Sequence, residues 1–336
     1  MKSELPIIGI TMGDPAGIGC EVILKALRHP EIYALCRPVV CGDLAWIEQV
    51  SRDLQLPVRV LPDTEGVPDT DMVCVRQATR ADLSEVHYGE LSAHAGRAAA
   101  ECVIVATHLA MENEFDAIVT APLNKEAMAL GGYPYPGHTE LLAEVTHTPK
   151  YGMFLSSGNL RVIHVSTHVS LREAIERVRT PRIIECIRLG QDGCRQLGIT
   201  NPRVAVAGLN PHAGENGLFG TEEVEEIAPA IQLARDEGIL ASGPHPPDTI
   251  FARTALGEFD VVVAMYHDQG HIPVKLHGFD SGVNITLGLP IIRVSVDHGT
   301  AFDIAGQGIA REESLLEAVR VAVQMVHART QTHMSL

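Results

Sequence analysis

The sequence predicts an α/β fold with mainly parallel sheets, arranged as two lobes. Short runs of Val, Ile, Leu and Ala alternate with longer helical patterns, which is typical of parallel strands covered by helices on both faces. At 336 residues the chain is too long for one simple layer around one core. The glycines and prolines of residues 131–137, GGYPYPG, cannot continue either pattern and indicate a lobe boundary.

The first part of the chain alternates predicted strands and helices. A buried parallel strand is a continuous apolar run, whereas a helix repeats its apolar positions every three to four residues. By these criteria the strands lie at 7–10, 38–41, 58–61 and 117–120, and the helices at 18–27, 44–54 and 92–112.

The second part of the chain repeats this alternation. Pro229 predicts a kink in its helix, because proline lacks the amide hydrogen that a helix interior needs. We expect the chain to cross back near residues 284–293, so that the first lobe comprises residues 1–132 and 290–336 and the second lobe residues 133–289. Strands are predicted at 160–165, 204–209 and 261–265, and helices at 181–196, 222–237 and 315–328.

Composition argues against several classes of protein. The formal net charge of −16 and the lack of a Lys/Arg cluster argue against nucleic-acid binding, although a few cations in a cleft suffice for a small phosphorylated molecule. No apolar stretch approaches the roughly 20 residues of a membrane helix, and the N-terminus lacks signal-peptide features. We therefore expect a cytoplasmic protein without membrane contact. The seven cysteines lack paired spacing, which indicates reduced thiols.

Three histidines each lie in a short polar loop that follows a predicted strand: His168, His212 and His267. The loops at the carboxyl ends of parallel strands carry the chemistry of α/β proteins. Three imidazoles without a neighbouring cysteine form a reasonable shell for one catalytic divalent metal with open positions. A lone histidine after a strand is more often a structural residue, but the pattern shared by three favours a metal site.

A glycine-rich turn, TMGDPAGIGCE at residues 11–21, joins the first strand to the first helix. It lacks the G-x-G-x-x-G spacing of a dinucleotide fold, and alone it is equally consistent with a structural turn. It resembles the GDGIGPE opening of the isocitrate and isopropylmalate dehydrogenases, and residues 297–306, DHGTAFDIAG, resemble their HGSAPDIAG loop around the cofactor adenosine. This resemblance implies a two-lobed isocitrate/isopropylmalate dehydrogenase-like fold. It assigns cofactor binding to His298, Gly299, Thr300, Ala301 and Asp303.

Five further motifs together resemble the 4-hydroxythreonine-4-phosphate dehydrogenase family of vitamin B6 biosynthesis. They are APLNKE (121–126), PGHTE (136–140), NPHAGE (210–215), YHDQG (266–270) and VNITLGLP (283–290), in the family's order over nearly the whole chain. The resemblance implies an NAD- and metal-dependent homodimer whose active site is completed by the partner subunit. It assigns the metal to His168, His212 and His267, and substrate contacts to His138, Thr139, Lys275, Asn284 and Arg293.

Several of these residues have more than one chemical interpretation. Lys275 and Arg293 are candidate cations for a substrate phosphate or carboxylate, and a surface ion pair is the alternative for Lys275. His138 can donate to a phosphate, transfer a proton or cap a helix, and Thr139 fits a helix N-cap equally well. Asp268 is a candidate catalytic base or orients the imidazole of His267.

Lys125 and Asp248 are weaker candidates for the same role of catalytic base.

The metal would chelate the secondary hydroxyl and a carboxylate oxygen of the substrate. It would lower the pKa of the alcohol and then stabilise the enolate left by decarboxylation. The identity of the metal is open among zinc, cobalt, magnesium and manganese, and so is the choice between NAD and NADP.

One segment departs from the biosynthetic pattern. Residues 270–275 read GHIPVK where we expect GLPVLK, and Leu276 replaces a tyrosine. This version resembles a paralogous branch that acts on the 4-phosphates of threonate and erythronate. We therefore predict oxidation of the 3-hydroxyl of D-threonate or D-erythronate 4-phosphate, followed by decarboxylation to dihydroxyacetone phosphate. His271 is a candidate donor to a substrate hydroxyl; alternatively it faces solvent and the change is neutral.

Four alternatives stay open. Within the family they are 4-hydroxythreonine-4-phosphate dehydrogenase and a dehydrogenase of an aromatic dihydrodiol dicarboxylate. Outside it they are a three-histidine metal hydrolase or lyase, against which the 297–306 loop argues, and a non-catalytic binding protein, against which the three histidines argue.

Overall fold

The structure is a computed structural model that describes residues 5–65, 68–278 and 282–334, the side chains only as far as residue 331. Residues 1–4, which bear on the prediction about signal-peptide features, lie outside the described residues. The strands are β1 Ile7–Thr11, β2 Arg37–Gly42, β3 Arg59–Pro62, β4 Met72–Gln77, β5 Ala117–Thr120, β6 Gly152–Ser157, β7 Leu160–His164, β8 Val204–Ala207, β9 Ala241–His245, β10 Val261–Ala264, β11 Val283–Leu287 and β12 Arg293–Val296.

The helices differ in length from 6 to 22 residues, and an irregular turn, Pro211–Gly217, and a π-helix, Glu223–Ile227, precede α9. They are α1 Gly19–Ala26, α2 Pro30–Leu35, α3 Leu44–Asp53, α4 Ala93–Met111, α5 Lys125–Leu130, α6 His138–Val145, α7 Leu171–Glu176, α8 Thr180–Gln196, α9 Ala228–Asp236, α10 Ile250–Ala255, α11 His267–His277 and α12 Glu313–Met334. No helix of the described residues is long and apolar enough to cross a membrane.

The chain forms two compact units. The first contains Met1–Pro149 and Leu289–His327, and the second contains Lys150–Gly288 and Ala328–Leu336. Residues 133–149, which the sequence assigned to the second lobe, thus belong with the first unit, because α6 packs against α4. The GGYPYPG segment is a turn within this unit.

The sheet of the first unit is parallel throughout, in the order β3-β4-β2-β1-β5-β12. Ile8 and Ile10 of the central strand β1 have no exposed surface, as expected for a strand covered on both faces. Helix α4 approaches α5 closely at Gly96, where a Cβ would lie 2.0 Å from the Ala127 carbonyl. Only glycine permits this approach, which positions the start of α5.

The strands of the second unit have the order β11-β6-β7-β10-β8-β9. Strand β6 is antiparallel to both neighbours, whereas β7, β10, β8 and β9 run parallel. Apolar residues of these strands, among them Val162, Ala205 and Val262, form a buried core with α10. The prediction of an α/β fold with mainly parallel sheets is confirmed.

Two elements differ from the predictions. The helix predicted at 222–237 consists of the π-helix followed by α9, and Pro229 lies in the first turn of α9, where a missing amide hydrogen is harmless. The loop predicted around His267 is instead the first turn of α11, which contains Pro273. Because α11 begins directly after β10, His267 still lies at the carboxyl end of β10, as predicted.

Candidate active site

The three predicted histidine loops meet at one edge of the second unit's sheet. β10 lies between β7 and β8, and all three strands run parallel, so their carboxyl ends are neighbours. His168 follows β7, His212 follows β8, and His267 begins the helix after β10. The carboxyl edge of adjacent parallel strands is where α/β proteins bind ligands.

Four imidazoles cluster at β7 and the start of α11. The ring centroids of His168 and His267 are 5.9 Å apart, and His267 stacks on His271 at 3.6 Å. The buried His164 lies 4.7 Å from His271. His267 Nδ1 is 2.6 Å from Asp268 Oδ1, and donation along this contact leaves Nε2 with its lone pair. Asp268 therefore fixes the tautomer that a ligand imidazole needs.

His271 does not face solvent, so the alternative that placed it there is wrong. Its side chain is buried, and Nδ1 donates to the carbonyl oxygen of His267 at 3.1 Å. Burial, and then the neighbouring His267, lower the pKa of His271 to about 4. His271, which distinguishes this chain from the expected biosynthetic pattern, therefore stacks on the His267 ring and donates to the His267 backbone.

His212 lies on a strained left-handed turn. Residues 212–216 all have positive φ values, between 41° and 75°, although only one of them is glycine. For other residues this conformation costs on the order of 1–2 kcal/mol each, and such strain is concentrated at functional sites. The exposed His212 ring contacts Glu215 through Nδ1 at 2.9 Å.

A three-ligand metal site is not preassembled in the described part of the chain. No group of three or more His, Cys, Asp or Glu side chains there has the arrangement needed to hold an ion. His168 and His267 are neighbours, and His212 would have to approach them from the adjacent loop. Imidazole nitrogens suit a divalent ion, and a carboxylate that holds one ring in a fixed tautomer, as Asp268 does for His267, is a common neighbour of a metal ligand. Metal binding by His168, His212 and His267 stays a prediction.

The first unit contains a cationic cluster around Arg293. This side chain is 1% exposed on β12, and its Nε and one terminal nitrogen donate to Thr120 Oγ1 on the adjacent strand at 3.2 and 2.7 Å. Burial lowers the pKa of Arg293 to about 9, against the opposing effect of Glu140. Desolvation, Arg293 and Lys125 hold the pKa of His138 well below its usual value. These groups together suit an anion.

Helix α6 begins within this cluster. Gly137 is its N-cap, so His138 and Thr139 are its first two residues and neither is the cap, contrary to one interpretation of each. His138 Nε2 is buried and has no hydrogen-bond partner within the described residues. In the second unit, the buried Oδ1 of Asn284 on β11 is likewise without one. Buried polar atoms are nearly always paired, so both atoms are free to contact a bound ligand.

The other predicted site residues lie as follows. Lys275 is exposed two turns after His267 on α11, which leaves the surface ion pair open as an interpretation. Asp248 is exposed in the turn between β9 and α10, near the same sheet edge as the histidine loops. Lys125 begins α5, whose N-cap Asn124 accepts from Ala127 N at 3.0 Å.

The two motifs that resemble the isocitrate dehydrogenase group lie against each other in the first unit. Ile18 N donates to Thr300 O at 3.1 Å. His298 Nε2 is buried without a hydrogen-bond partner among the described residues, and cofactor binding by this loop stays a prediction. The loop also contains the remaining predicted cofactor residues Gly299, Ala301 and Asp303, all at least partly exposed.

Sequence reasoning missed Asp14 in the glycine-rich turn. Burial raises the pKa of Asp14 to about 6, although its Oδ1 accepts from Ala16 N at 2.9 Å. Asp14 N donates to Pro122 O at 2.8 Å, which ties this turn to the loop before Lys125. An Asp-Pro in a turn is so common that no sequence signal singled it out. Gln269, Ser166 and Glu223, whose hydrogen bonds are described below, were also missed, because they contact backbone atoms distant in the chain.

Comparison with known proteins agrees with this description. Residues 34–322 match the family model of the pyridoxal phosphate biosynthetic protein PdxA. The chain is 52% identical to a putative D-threonate 4-phosphate dehydrogenase of Oceanobacillus iheyensis, over 96% of this chain and 98% of that protein. It is 48% identical to the D-threonate 4-phosphate dehydrogenase of Cupriavidus necator, over 98% of this chain and all of that protein.

A crystal structure of 4-hydroxythreonine-4-phosphate dehydrogenase from Klebsiella pneumoniae superposes with a TM-score of 0.88. It is 45% identical and covers 97% of this chain and 99% of its own. Fold and relatives together define a dehydrogenase with the isocitrate dehydrogenase-like fold, as predicted. Within that class, the chain belongs to the pyridoxal phosphate biosynthetic protein PdxA family. A dehydrogenase of this family implies a nicotinamide cofactor.

Proposed function

We propose that the protein oxidises the 3-hydroxyl of a 4-phosphorylated four-carbon acid with NAD and then decarboxylates the product. The observation that carries this proposal is the cluster of Arg293, Lys125 and His138, with a buried guanidinium and an unpartnered imidazole nitrogen. A planar guanidinium suits bidentate contacts with phosphate or carboxylate. The dehydrogenase names of the relatives supply the reaction class.

In the proposed reaction the chain binds and orients the substrate. Arg293, His138 and Lys125 would hold one anionic end, with Thr139 in the same helix turn, and the family resemblance also assigns substrate contacts to Lys275 and Asn284. Oxidation places a ketone β to the carboxylate, and a β-keto acid loses carbon dioxide readily when its carbonyl is polarised. A nicotinamide cofactor whose adenosine is held by residues 298–303 would accept the hydride.

The histidine loops complete the proposal. His168, His212 and His267 would hold a divalent ion, which supplies Lewis acidity toward substrate oxygens. Asp268 keeps the His267 ring in one tautomer, as its 2.6 Å contact indicates. The proton of the hydroxyl goes to Asp268 or, as alternatives, to Lys125, Asp248 or His138. Metal analysis of protein dialysed against Zn²⁺ tests this part: less than one ion per chain would contradict it.

D-Threonate 4-phosphate is the substrate that we propose. Relatives at 52% and 48% identity carry this name, the first of them as a putative assignment. The alternative, 4-hydroxythreonine 4-phosphate, carries an ammonium at its second carbon where the sugar acids have a hydroxyl. An unmatched buried polar group costs on the order of 1–3 kcal/mol, so the preference should be roughly tenfold to hundredfold.

A substrate panel tests this choice. The 4-phosphates of D-threonate, D-erythronate and hydroxythreonine are assayed by NADH absorbance with added divalent metal. We expect the highest kcat/KM with D-threonate 4-phosphate, and a higher value with D-erythronate 4-phosphate than with hydroxythreonine 4-phosphate. Faster turnover of hydroxythreonine 4-phosphate would assign the protein to vitamin B6 synthesis instead, and no dinucleotide reduction with any of the three would refute the proposal.

We also propose a homodimer whose active sites are shared between subunits, as the family resemblance implies. Exposed apolar side chains beside the left-handed turn, namely Leu218, Phe219 and Val224, offer a surface of the required character. Light scattering gives the mass in solution. Mixed dimers of an Arg293→Ala chain and a His267→Ala chain should recover activity if the sites are shared, and recovery should be nil if each chain forms a complete site.

A further inference from the structure

A buried glutamine links two of the histidine loops. Gln269 lies in the first turn of α11 and is 9% exposed. Its Oε1 accepts from Met265 N at 2.7 Å, at the end of β10, and its Nε2 donates to Gly208 O at 2.7 Å, at the end of β8. One side chain thus joins the backbone before His267 to the backbone before His212.

The third loop is tied to the same point. Ser166, which is buried in the loop after β7, donates from Oγ to Met265 O at 3.2 Å. The Met265 amide therefore donates to Gln269 of α11, and the Met265 carbonyl accepts from Ser166 of the loop after β7. His168 lies two residues beyond Ser166.

A buried carboxylate holds the remaining loop from its other side. Glu223, on the π-helix, is 2% exposed, and its Oε1 accepts from Leu209 N at 2.8 Å and Asn210 N at 2.7 Å. Its Oε2 accepts from Asn210 Nδ2 at 2.9 Å. A Cβ at Gly214 would lie 2.7 Å from this oxygen, so the left-handed turn packs directly on the carboxylate.

Strain explains why these hydrogen bonds matter. A run of left-handed residues persists only where its surroundings over-determine it. The backbone entering the turn at residues 208–210 is held by Gln269 on one side and by Glu223 on the other. Without these contacts the turn should relax, and the direction of His212 should change with it.

We propose that Gln269, Ser166 and Glu223 form a buried loop brace that positions the backbones carrying His168, His212 and His267 relative to one another. The three side chains are positioning residues, because each acts on loop backbone. The inference rests on the proposed function only in taking the three histidines as the reactive edge. Gln269 is the central member, since of these three side chains it is the one that joins the end of β8 to the end of β10.

Two variants of Gln269 test the brace. Gln269→Met keeps the length and burial but loses both hydrogen bonds, and Gln269→Glu keeps the acceptor for Met265 N but loses the donor to Gly208 O. Gln191→Met, at a glutamine of α8 that is 8% exposed, controls for the loss of a buried amide in the same unit. Hydrogen exchange of the full-length protein is measured over residues 205–217, with kcat and KM for D-threonate 4-phosphate.

Both Gln269 variants should exchange faster over residues 205–217 than the wild type, with the melting temperature close to that of Gln191→Met. Their kcat should fall roughly tenfold to hundredfold, the usual effect of losing a residue that orients functional groups, and KM should change less. Ser166→Ala should increase exchange around residues 166–169, and Ser166→Thr, which keeps the hydroxyl, should restore it.

The outcomes separate this inference from the proposed function. Wild-type exchange rates in both Gln269 variants, or a kcat loss no larger than that of Gln191→Met, would overturn the brace. If the exchange rates rise as expected but the wild-type protein oxidises none of the sugar acid phosphates, the brace stands and the proposed function fails.

Discussion

Arg293 is the largest fully buried side chain among the described residues. Burying a guanidinium is costly unless hydrogen bonds and neighbouring charge compensate, and Thr120 Oγ1 accepts from two of its nitrogens. His138 is kept neutral beside it, because desolvation and the charges of Arg293 and Lys125 all oppose protonation. A neutral imidazole can donate to a phosphate and still exchange a proton with the substrate.

Replacing Arg293 by Lys should weaken substrate binding. Lysine keeps the charge but loses the planar fork, and a charge-assisted hydrogen bond contributes about 1.5–3 kcal/mol, so KM should rise roughly tenfold to hundredfold. Steady-state kinetics checks this, with Arg203→Lys at an exposed ion pair with Asp260 as the control. Unchanged KM for Arg293→Lys would remove Arg293 from the site.

At the scale of elements, the start of α5 depends on its packing against α4. Asn124 caps α5, and the following Lys125 joins the cationic cluster through its effect on His138. Gly96 of α4 allows the two helices to approach to backbone contact. Helix packing at a glycine therefore places a site residue that is distant from Gly96 in sequence.

Gly96→Ala should destabilise the protein. Alanine gains up to about 1 kcal/mol of helix propensity, but its Cβ would lie 2.0 Å from the backbone carbonyl of Ala127, and overpacking of this kind costs about 1–3 kcal/mol. The cost of the clash should exceed the gain in helix propensity, so the melting temperature should fall by a few degrees in calorimetry. Gly299→Ala, where a Cβ meets nothing within 4 Å, is the control. An unchanged or higher melting temperature for Gly96→Ala would show that the helices separate freely.

At the scale of the whole molecule, buried titratable groups predict how stability changes with pH. His138 and His164 both have pKa values held well below 6.5, chiefly by desolvation. The unfolded chain takes up protons near pH 6.5 that the folded protein refuses, so their stabilisation is present above pH 6.5 and declines as the pH falls below it. Asp14 acts oppositely, because its raised pKa of about 6 favours the folded protein at low pH.

His138→Gln should therefore reduce the loss of stability on acidification. Below pH 6.5 each such histidine contributes up to about 1.4 kcal/mol per pH unit to that loss. Denaturant unfolding at pH 7.5 and pH 5 gives the difference for wild type, His138→Gln and the exposed control His94→Gln. Because Asp14 is common to all three, its effect cancels. A pH dependence equal in all three proteins would contradict a buried neutral His138.

The sequence alone determined the fold class, the family and the strand ends that carry the three histidines. Apolar runs and helical periodicity are local properties, and the motifs are contiguous, so both are visible without coordinates. The adjacency of His168 and His267 did not follow, because it depends on the pairing of β10 with β7, which no local pattern encodes. The three-histidine metal site, the substrate contacts and the cofactor loop stay predictions.

Only the tertiary structure decided how the site residues are supported. The position of β10 between β7 and β8 depends on contacts between distant parts of the chain. This strand order brings Gln269 to the Gly208 carbonyl. The same is true of Thr120 beside Arg293, of Asp14 against Pro122, and of the burial of His271 behind His267. These contacts join residues far apart in the chain or depend on side-chain burial, and no local pattern encodes either property.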